Sequence, residues 1–171
     1  MLGAVMKFIC LFLLAGLTVA CTSTTQTPAA FAAEHPEARL YDETRDAAAD
    51  VDAALIEAAS SDKNAIIVMG ANWCHDSRAL AGWFETERFQ TLLSENFVLR
   101  YVDVGQKNRN IDIARRFGLD EVVGTPTVFV TDTAGRVKNL ETAPTWRNAA
   151  SRDEDDIYTY FANLTPARTS D

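Results

Sequence analysis

The chain contains little cysteine, with three residues of this type in 171. Cys10 lies inside an N-terminal apolar run and Cys21 at its end, so the rest of the chain carries Cys74 alone. Counting therefore excludes a disulfide within that remainder. An unpaired thiol in an oxidising compartment is either a buried apolar side chain or a group kept for its reactivity.

The chain also lacks an excess of positive charge, because 24 acidic residues outnumber 16 lysines and arginines and give a net charge of −8. Such a surface repels phosphate backbones, so no nucleic-acid partner is expected. A Gly-rich phosphate loop, a Gly-x-Ser-x-Gly elbow and a convergent carboxylate pair are missing as well. His35 and His75 with Cys74 fall short of a zinc or copper set. The sequence therefore predicts neither a metal nor another cofactor.

The one long apolar run is N-terminal, from Phe8 to Ala20. It is too short to span a bilayer and has the length of a signal-peptide core, preceded by the basic Lys7. Residues 1–20 are therefore predicted to be an export signal.

The end of that signal, Ala20 followed by Cys21, resembles the bacterial lipobox, although Thr18 stands where that pattern prefers leucine. The resemblance implies that Cys21 is lipidated and becomes the mature N-terminus. Cleavage by the ordinary signal peptidase is the alternative, since Ala20 suits either enzyme. Thr22 replaces the aspartate that commonly retains lipoproteins at the inner membrane. The expected location is the periplasm, with a lipid anchor in the outer membrane.

Three further segments follow from composition. Residues 21–40 are rich in Thr, Ser, Ala and Pro, which is typical of a flexible tether. The folded domain is predicted over residues 41–165, and residues 166–171 form a C-terminal tail. A hydrophobic content of 47% is enough for one packed core.

Apolar periodicity predicts an α/β domain. Helices are expected over residues 42–60, 78–89 and 110–117, and after a capping box formed by Ser151 and Glu154; strands are expected over 65–69, 97–103, 127–131 and 136–141. The last two strands flank residues 132–135 and are predicted to form a hairpin. This order predicts a mixed central sheet with helices on both faces.

The segment Trp73–Ser77 stands where the first strand feeds a helix. The backbone N–H groups of the first helical turn and the helix dipole then point at the Cys74 sulfur and favour the thiolate. This segment resembles the Trp-Cys-x-x-Cys motif of the exported branch of the thioredoxin-like superfamily. The likeness makes Cys74 the candidate nucleophile.

The segment 123–127, with the sequence Val-Gly-Thr-Pro-Thr, resembles the loop in which that superfamily carries a cis-proline beside the reactive sulfur. The two motifs stand in the family's order, and the resemblance runs from about residue 42 to residue 164. It implies the thioredoxin-like three-layer fold with a cis-Pro126. It also implies that the backbone of Thr125 is free to pair with an extended substrate and that Trp73 walls the sulfur.

Three departures from the family pattern bear on function. Ser77 replaces the second cysteine, so the domain cannot close the intramolecular disulfide of a dithiol enzyme. Val68 stands where thioredoxins carry a buried acid. His75 and Asp76 replace Gly-Pro between the motif ends, where a protonated His75 would favour the thiolate and Asp76 would oppose it.

Monothiol chemistry at Cys74 remains. The thiolate can attack a disulfide, Ser77 Oγ can hydrogen-bond the sulfur, and Arg78 can add positive charge. Release then needs a second thiol, which gives disulfide exchange, isomerisation or reduction. The expected partners are a disulfide-containing protein or small thiol and an external reductant, with membrane contact through the lipid anchor only.

The alternative interpretation is that the domain has the same fold but no thiol-disulfide chemistry. A lone cysteine at a helix start is often a small buried apolar residue, and His75 alone is more often a surface residue than a ligand. In that case the domain is a redox-inactive binding module that holds an envelope protein or peptide beside Pro126.

Overall fold

The computed structural model describes residues 35–167. The predicted signal peptide, the lipidation site Cys21, most of the tether and the end of the tail lie outside the described residues. Within the described part, no helix is both long enough and apolar enough to cross a membrane.

Between residues 35 and 167 the sheet has three strands in the order β2-β1-β3, where β1 is Asn64–Gly70, β2 is Phe97–Asp103 and β3 is Thr127–Thr131. β1 pairs parallel with β2 and antiparallel with β3. Every residue of the central strand β1 is buried, which explains its unbroken apolar run.

In the residues that the structure describes, five α-helices and one 3-10 helix surround this sheet. They are α1 (Ala47–Ser60), α2 (His75–Phe84), α3 (Glu87–Asn96), α4 (Ile111–Arg116) and α5 (Glu154–Ala162), with the 3-10 segment at Ala143–Ser151. Ile66 and Val68 of β1 face a core shared with α2, α3 and α5. Ala65, Ile67 and Met69 face a second core shared with α1 and α4. The predicted mixed sheet with helices on both faces is therefore confirmed.

The predicted single helix over residues 78–89 is wrong, because the chain forms two helices there. α2 ends at Phe84, and Thr86 adopts an extended conformation as the N-cap of α3. The Thr86 hydroxyl and backbone N–H both donate to the carbonyl of Trp83, at 2.8 and 3.0 Å. Thr86 thus satisfies the end of one helix and begins the next.

Two helices begin later than the sequence suggests. α1 begins at Ala47, where the side chain of Asp46 caps the helix by accepting from the N–H of Ala49 at 3.1 Å. α5 has Asp153 as its N-cap, because Ser151 is the last residue of the preceding 3-10 segment. The predicted capping box between Ser151 and Glu154 is therefore wrong.

The predicted strand over residues 136–141 is also wrong, since only an isolated bridge joins Val137 to Thr131. The side chain of Asn139 takes the strand's place at the edge of β3. Its Oδ1 accepts from the N–H of Val130 at 2.8 Å, and its Nδ2 donates to the carbonyl of Val128 at 2.9 Å. One amide thereby satisfies backbone groups that a fourth strand would have paired.

The folded unit also includes chain ahead of residue 41, where the sequence placed the domain's start. The N–H of Ala38 donates to the carbonyl of Arg78 in α2 at 3.0 Å. Gly82 of α2 lies directly against Pro36, so the segment 36–39 packs along this helix.

Replacing Asn139 with alanine should destabilise the domain by about 2–4 kcal/mol, because two buried backbone groups lose their partners. Urea denaturation of the wild type and the variant measures this difference. The matched control is Asn163→Ala at an exposed position, which should change the free energy of unfolding little. Equal losses in both variants would show that the edge of β3 does not depend on the Asn139 amide.

Candidate thiol site

Cys74 lies at the turn between β1 and α2. It is the N-cap residue of α2, and its backbone is tied on both sides: its N–H donates to Ala71 at 3.1 Å, and its carbonyl accepts from Arg78 at 3.1 Å. The Cys74 residue is 9% exposed. The thiol therefore sits at the start of a helix, just below the surface.

The partner of this thiol is the loop that precedes β3. Because β1 and β3 are antiparallel, with Met69 opposite Thr127, the end of one strand meets the beginning of the other. The Thr125–Pro126 peptide bond is cis. The Cys74 thiol donates to the carbonyl oxygen of Thr125 at 3.2 Å. The Thr125 carbonyl, expected to be free for a substrate, is thus occupied by the thiol itself.

Ser77 lies inside the domain and is fully buried. Its Oγ accepts a long hydrogen bond from the N–H of Ala71 at 3.5 Å and does not form the predicted hydrogen bond with the Cys74 sulfur. A Cβ on Gly70 would come within 2.7 Å of this hydroxyl and of the Tyr41 ring, so only glycine fits beside them. A closely packed serine therefore stands at the position where the resemblance noted in the sequence would have a second cysteine.

Tyr41 forms a hydrogen bond with the backbone of Ser77. Its hydroxyl donates to the Ser77 carbonyl at 3.3 Å, and burial raises the pKa of Tyr41 well above its ordinary value. The phenol is therefore a neutral donor. Asn72 holds the Tyr41 backbone in two hydrogen bonds, at 3.2 and 2.7 Å. Sequence reasoning missed both residues, because the contact joins segments 31 residues apart and leaves no periodic signal.

Arg78 does not present an isolated positive charge to the thiol. Its Nε donates to Glu37 Oε2 at 2.8 Å, and its Nη1 donates to the carbonyls of Asn72 and Trp73 at 3.2 and 3.1 Å. The hydrogen bond from Arg78 lowers the pKa of Glu37, against a smaller opposing effect of desolvation. Glu37, which the sequence analysis did not identify, therefore forms an ion pair with Arg78 and partly neutralises its charge.

The two residues between the motif ends have separate roles. His75 is exposed, and its Nε2 lies 3.2 Å from Glu37 Oε1. Asp76 Oδ1 accepts from the N–H of Ala150 at 2.9 Å and so ties α2 to the 3-10 segment. Asp76 is thus engaged in a structural contact rather than standing free beside the thiol.

Each of the two loops that meet at Cys74 presents one exposed apolar side chain. Trp73 is 49% exposed and Val123 is 47% exposed. The Trp73 indole is fixed, since its Nε1 donates to the carbonyl of Gly105 at 2.7 Å. Trp73 also lines an open groove of about 880 Å³, whose other walls include Asp103 and Arg109. Trp73 therefore offers apolar contact area beside Cys74 and also lines this groove.

Together, a βα turn with one cysteine, a cis-proline loop facing it and a mixed sheet with helices on both faces define a thioredoxin-like α/β domain. A family model described as thioredoxin-like matches residues 46–133. The chain belongs to the thioredoxin-like family.

Among solved structures, the chain is similar to the disulphide isomerase from Xylella fastidiosa Temecula1. The two are 31% identical with a TM-score of 0.69, and the match covers 74% of this chain and 97% of that one. The comparison with curated proteins gave no match.

Gly82→Ala should release the segment 36–39 from α2. The added Cβ would lie 2.3 Å from the backbone of Pro36, so the segment must move. Inside a helix, alanine is more favourable than glycine by about 0.5–1 kcal/mol. The substitution therefore does not destabilise α2 itself, and any loosening of the segment 36–39 is due to the displacement of Pro36. Trypsin cleavage after Arg39, whose guanidinium donates to the carbonyl of Asn72 at 2.8 Å, should be faster in the variant. The control is Thr91→Ala on the exposed face of α3; equal cleavage rates in all three proteins would contradict the packing described.

Proposed function

We propose that this is an exported thiol-disulfide protein that uses Cys74 as its single nucleophile. The observation that carries the proposal is the placement of the Cys74 thiol at the start of α2, facing the cis Thr125–Pro126 loop. Membership of the thioredoxin-like family and the similarity to a disulphide isomerase support it.

The first step joins Cys74 to its substrate. The Cys74 thiolate attacks one sulfur of a disulfide, a new S–S bond forms, and the other substrate sulfur leaves as a thiolate. No electrons are lost or gained overall, because one disulfide replaces another. The product is a mixed disulfide between Cys74 and the substrate.

Release requires a thiol from outside the domain. Cys74 is the sole cysteine in the part of the chain that the structure describes, and Ser77 occupies the place of a resolving cysteine. If another thiol of the same substrate attacks, the substrate is isomerised without net oxidation. If two external thiols act in turn, they supply two electrons and the substrate disulfide is reduced.

Substrate binding uses the two loops at the thiol. An approaching disulfide displaces the Cys74 thiol from the Thr125 carbonyl, and that carbonyl then accepts from a backbone N–H of an extended substrate. Trp73 and Val123 offer the exposed apolar area on either side. This arrangement favours unfolded or extended segments over compact surfaces.

The proposed location is the periplasm, with the mature chain anchored in the outer membrane through a lipid on Cys21. The supporting feature is the sequence alone: an apolar run that ends in Ala20–Cys21, followed by Thr22.

A second function is favoured by one observation, the burial of the thiol. Cys74 is only 9% exposed and its hydrogen is engaged by Thr125. A domain that keeps this arrangement in solution would bind an envelope protein or peptide beside Pro126 without forming a covalent bond.

Cys74 should react with iodoacetamide in the native protein and should form mixed disulfides with oxidised glutathione or with periplasmic proteins. Mass spectrometry identifies the modified peptide, and Cys74→Ala is the control for labelling elsewhere. The binding-module function instead predicts that Cys74 reacts only after unfolding. It also predicts that Cys74→Ala retains its partners in pull-down experiments, whereas thiol exchange requires their loss.

Ser77→Cys should create a dithiol site, because it restores the Trp-Cys-x-x-Cys pattern at the start of α2. We expect the variant to reduce insulin in the presence of dithiothreitol faster than the wild type. Ser77→Ala, which packs in the same buried place without a thiol, is the matched control. A folded variant without this gain would show that the α2 turn cannot bring the two sulfurs together.

A further inference from the structure

Both histidines of the chain lie in one side-chain cluster with a carboxylate. His35 and Glu37 belong to the segment ahead of the domain's predicted start, and His75 is the first residue of α2. Ligand atoms of the three side chains all lie within 4.8 Å of one another. The imidazole rings of His35 and His75 are 4.8 Å apart between centroids. The packing of Pro36 against Gly82 brings the two segments together.

The distances suit a tetrahedral metal ion. Zinc bonds nitrogen and oxygen at about 2.0–2.2 Å, so two such ligands lie about 3.4 Å apart. His75 Nε2 and Glu37 Oε1 already lie 3.2 Å apart. Bringing the widest pair from 4.8 Å to that separation is a closure of about 1.4 Å. The His75 side chain is 58% exposed, so it has room to make this adjustment.

The surrounding hydrogen bonds leave the needed atoms available. His35 Nδ1 lies 3.2 Å from the carbonyl of Pro36. With its proton on Nδ1, the ring keeps Nε2 free as a ligand, an arrangement common among metal-binding histidines. Glu37 Oε2 accepts from Arg78 Nε at 2.8 Å, whereas Oε1 accepts only a long hydrogen bond from Arg78 Nη2 at 3.5 Å and lies 3.2 Å from His75 Nε2.

We propose that His35, Glu37 and His75 form a three-ligand site for a divalent transition-metal ion of the zinc type. Two imidazoles and one carboxylate suit such an ion and leave its fourth position to water. The bound ion joins the segment 35–37 to the first turn of α2, immediately beside Cys74. Cys74 is not one of its ligands, so metal binding can be tested separately from the thiol chemistry.

Arg78 is the charge that opposes the ion. It shares the Glu37 carboxylate, so a bound cation faces a guanidinium across that group. Arg78 also has two backbone carbonyl partners, those of Asn72 and Trp73, that remain when Glu37 turns one oxygen toward the metal. The charge of Arg78 therefore weakens cation binding at this site.

The test is titration of the full chain, first stripped with a chelator, with Zn²⁺ alone in competition with a chromophoric chelator. We expect one ion per chain. His35→Ala, His75→Ala and Glu37→Gln should each weaken binding at least about tenfold, the loss that even the outer hydrogen-bonding partners of metal ligands produce. Glu43→Gln, at an exposed carboxylate outside the cluster, is the matched control and should bind as the wild type does.

A second measurement needs no variant. Because the chain has only two histidines, long-range ¹H–¹⁵N spectra of the wild type report both rings separately, and Zn²⁺ should shift a ring nitrogen in each. The proposal is overturned if the wild type binds no Zn²⁺ or if the three variants bind as tightly as the wild type. It is equally overturned if binding survives in them and disappears only in Cys74→Ala, which would place the ion on the thiol.

Discussion

The antiparallel pairing of β1 with β3 is the constraint on which the thiol site depends. The turn that carries Cys74 leaves β1 at Gly70, and the Thr125–Pro126 loop enters β3 at Thr127. A slip of one residue would reverse every side chain of a strand. Since β1 is buried on both faces, a slip would exchange Ile66 and Val68 with the residues of the other core. The packing of two cores thus fixes the distance between the thiol and the loop.

Much of this arrangement could be predicted from sequence, because it depends on patterns among residues that are close together in the chain. The unbroken apolar run of β1, the strand over 97–103 and the motifs around Cys74 and Pro126 lead to the observed sheet and to the correct pairing of the two loops. Asn139 shows where such reasoning fails. The segment 136–141 was expected to form a further strand beside β3. Instead, the side-chain amide of Asn139 satisfies the same backbone groups. The periodicity of apolar residues does not distinguish pairing by a strand from pairing by one side chain.

The residues around the thiol that sequence reasoning missed share one property: their partners are distant in the chain. Tyr41 and Asn72 meet across 31 residues, and Glu37 meets Arg78 across 41. Nothing in the sequence near Gly82 indicates that Pro36 packs against this glycine. Composition even favours a flexible tether over residues 21–40. The end of that segment is ordered by contacts with α2, which only the three-dimensional structure reveals.

The surroundings of Cys74 also determine how the proposed reaction begins. The buried Val68 carries no proton acceptor, and the nearby phenol of Tyr41 is itself a neutral donor. The present partner of the thiol, the Thr125 carbonyl, accepts a hydrogen bond but does not remove a proton at neutral pH. None of these three groups takes the proton from the thiol. In the proposed reaction, moving the thiol away from the Thr125 carbonyl frees both the sulfur and that carbonyl for a substrate.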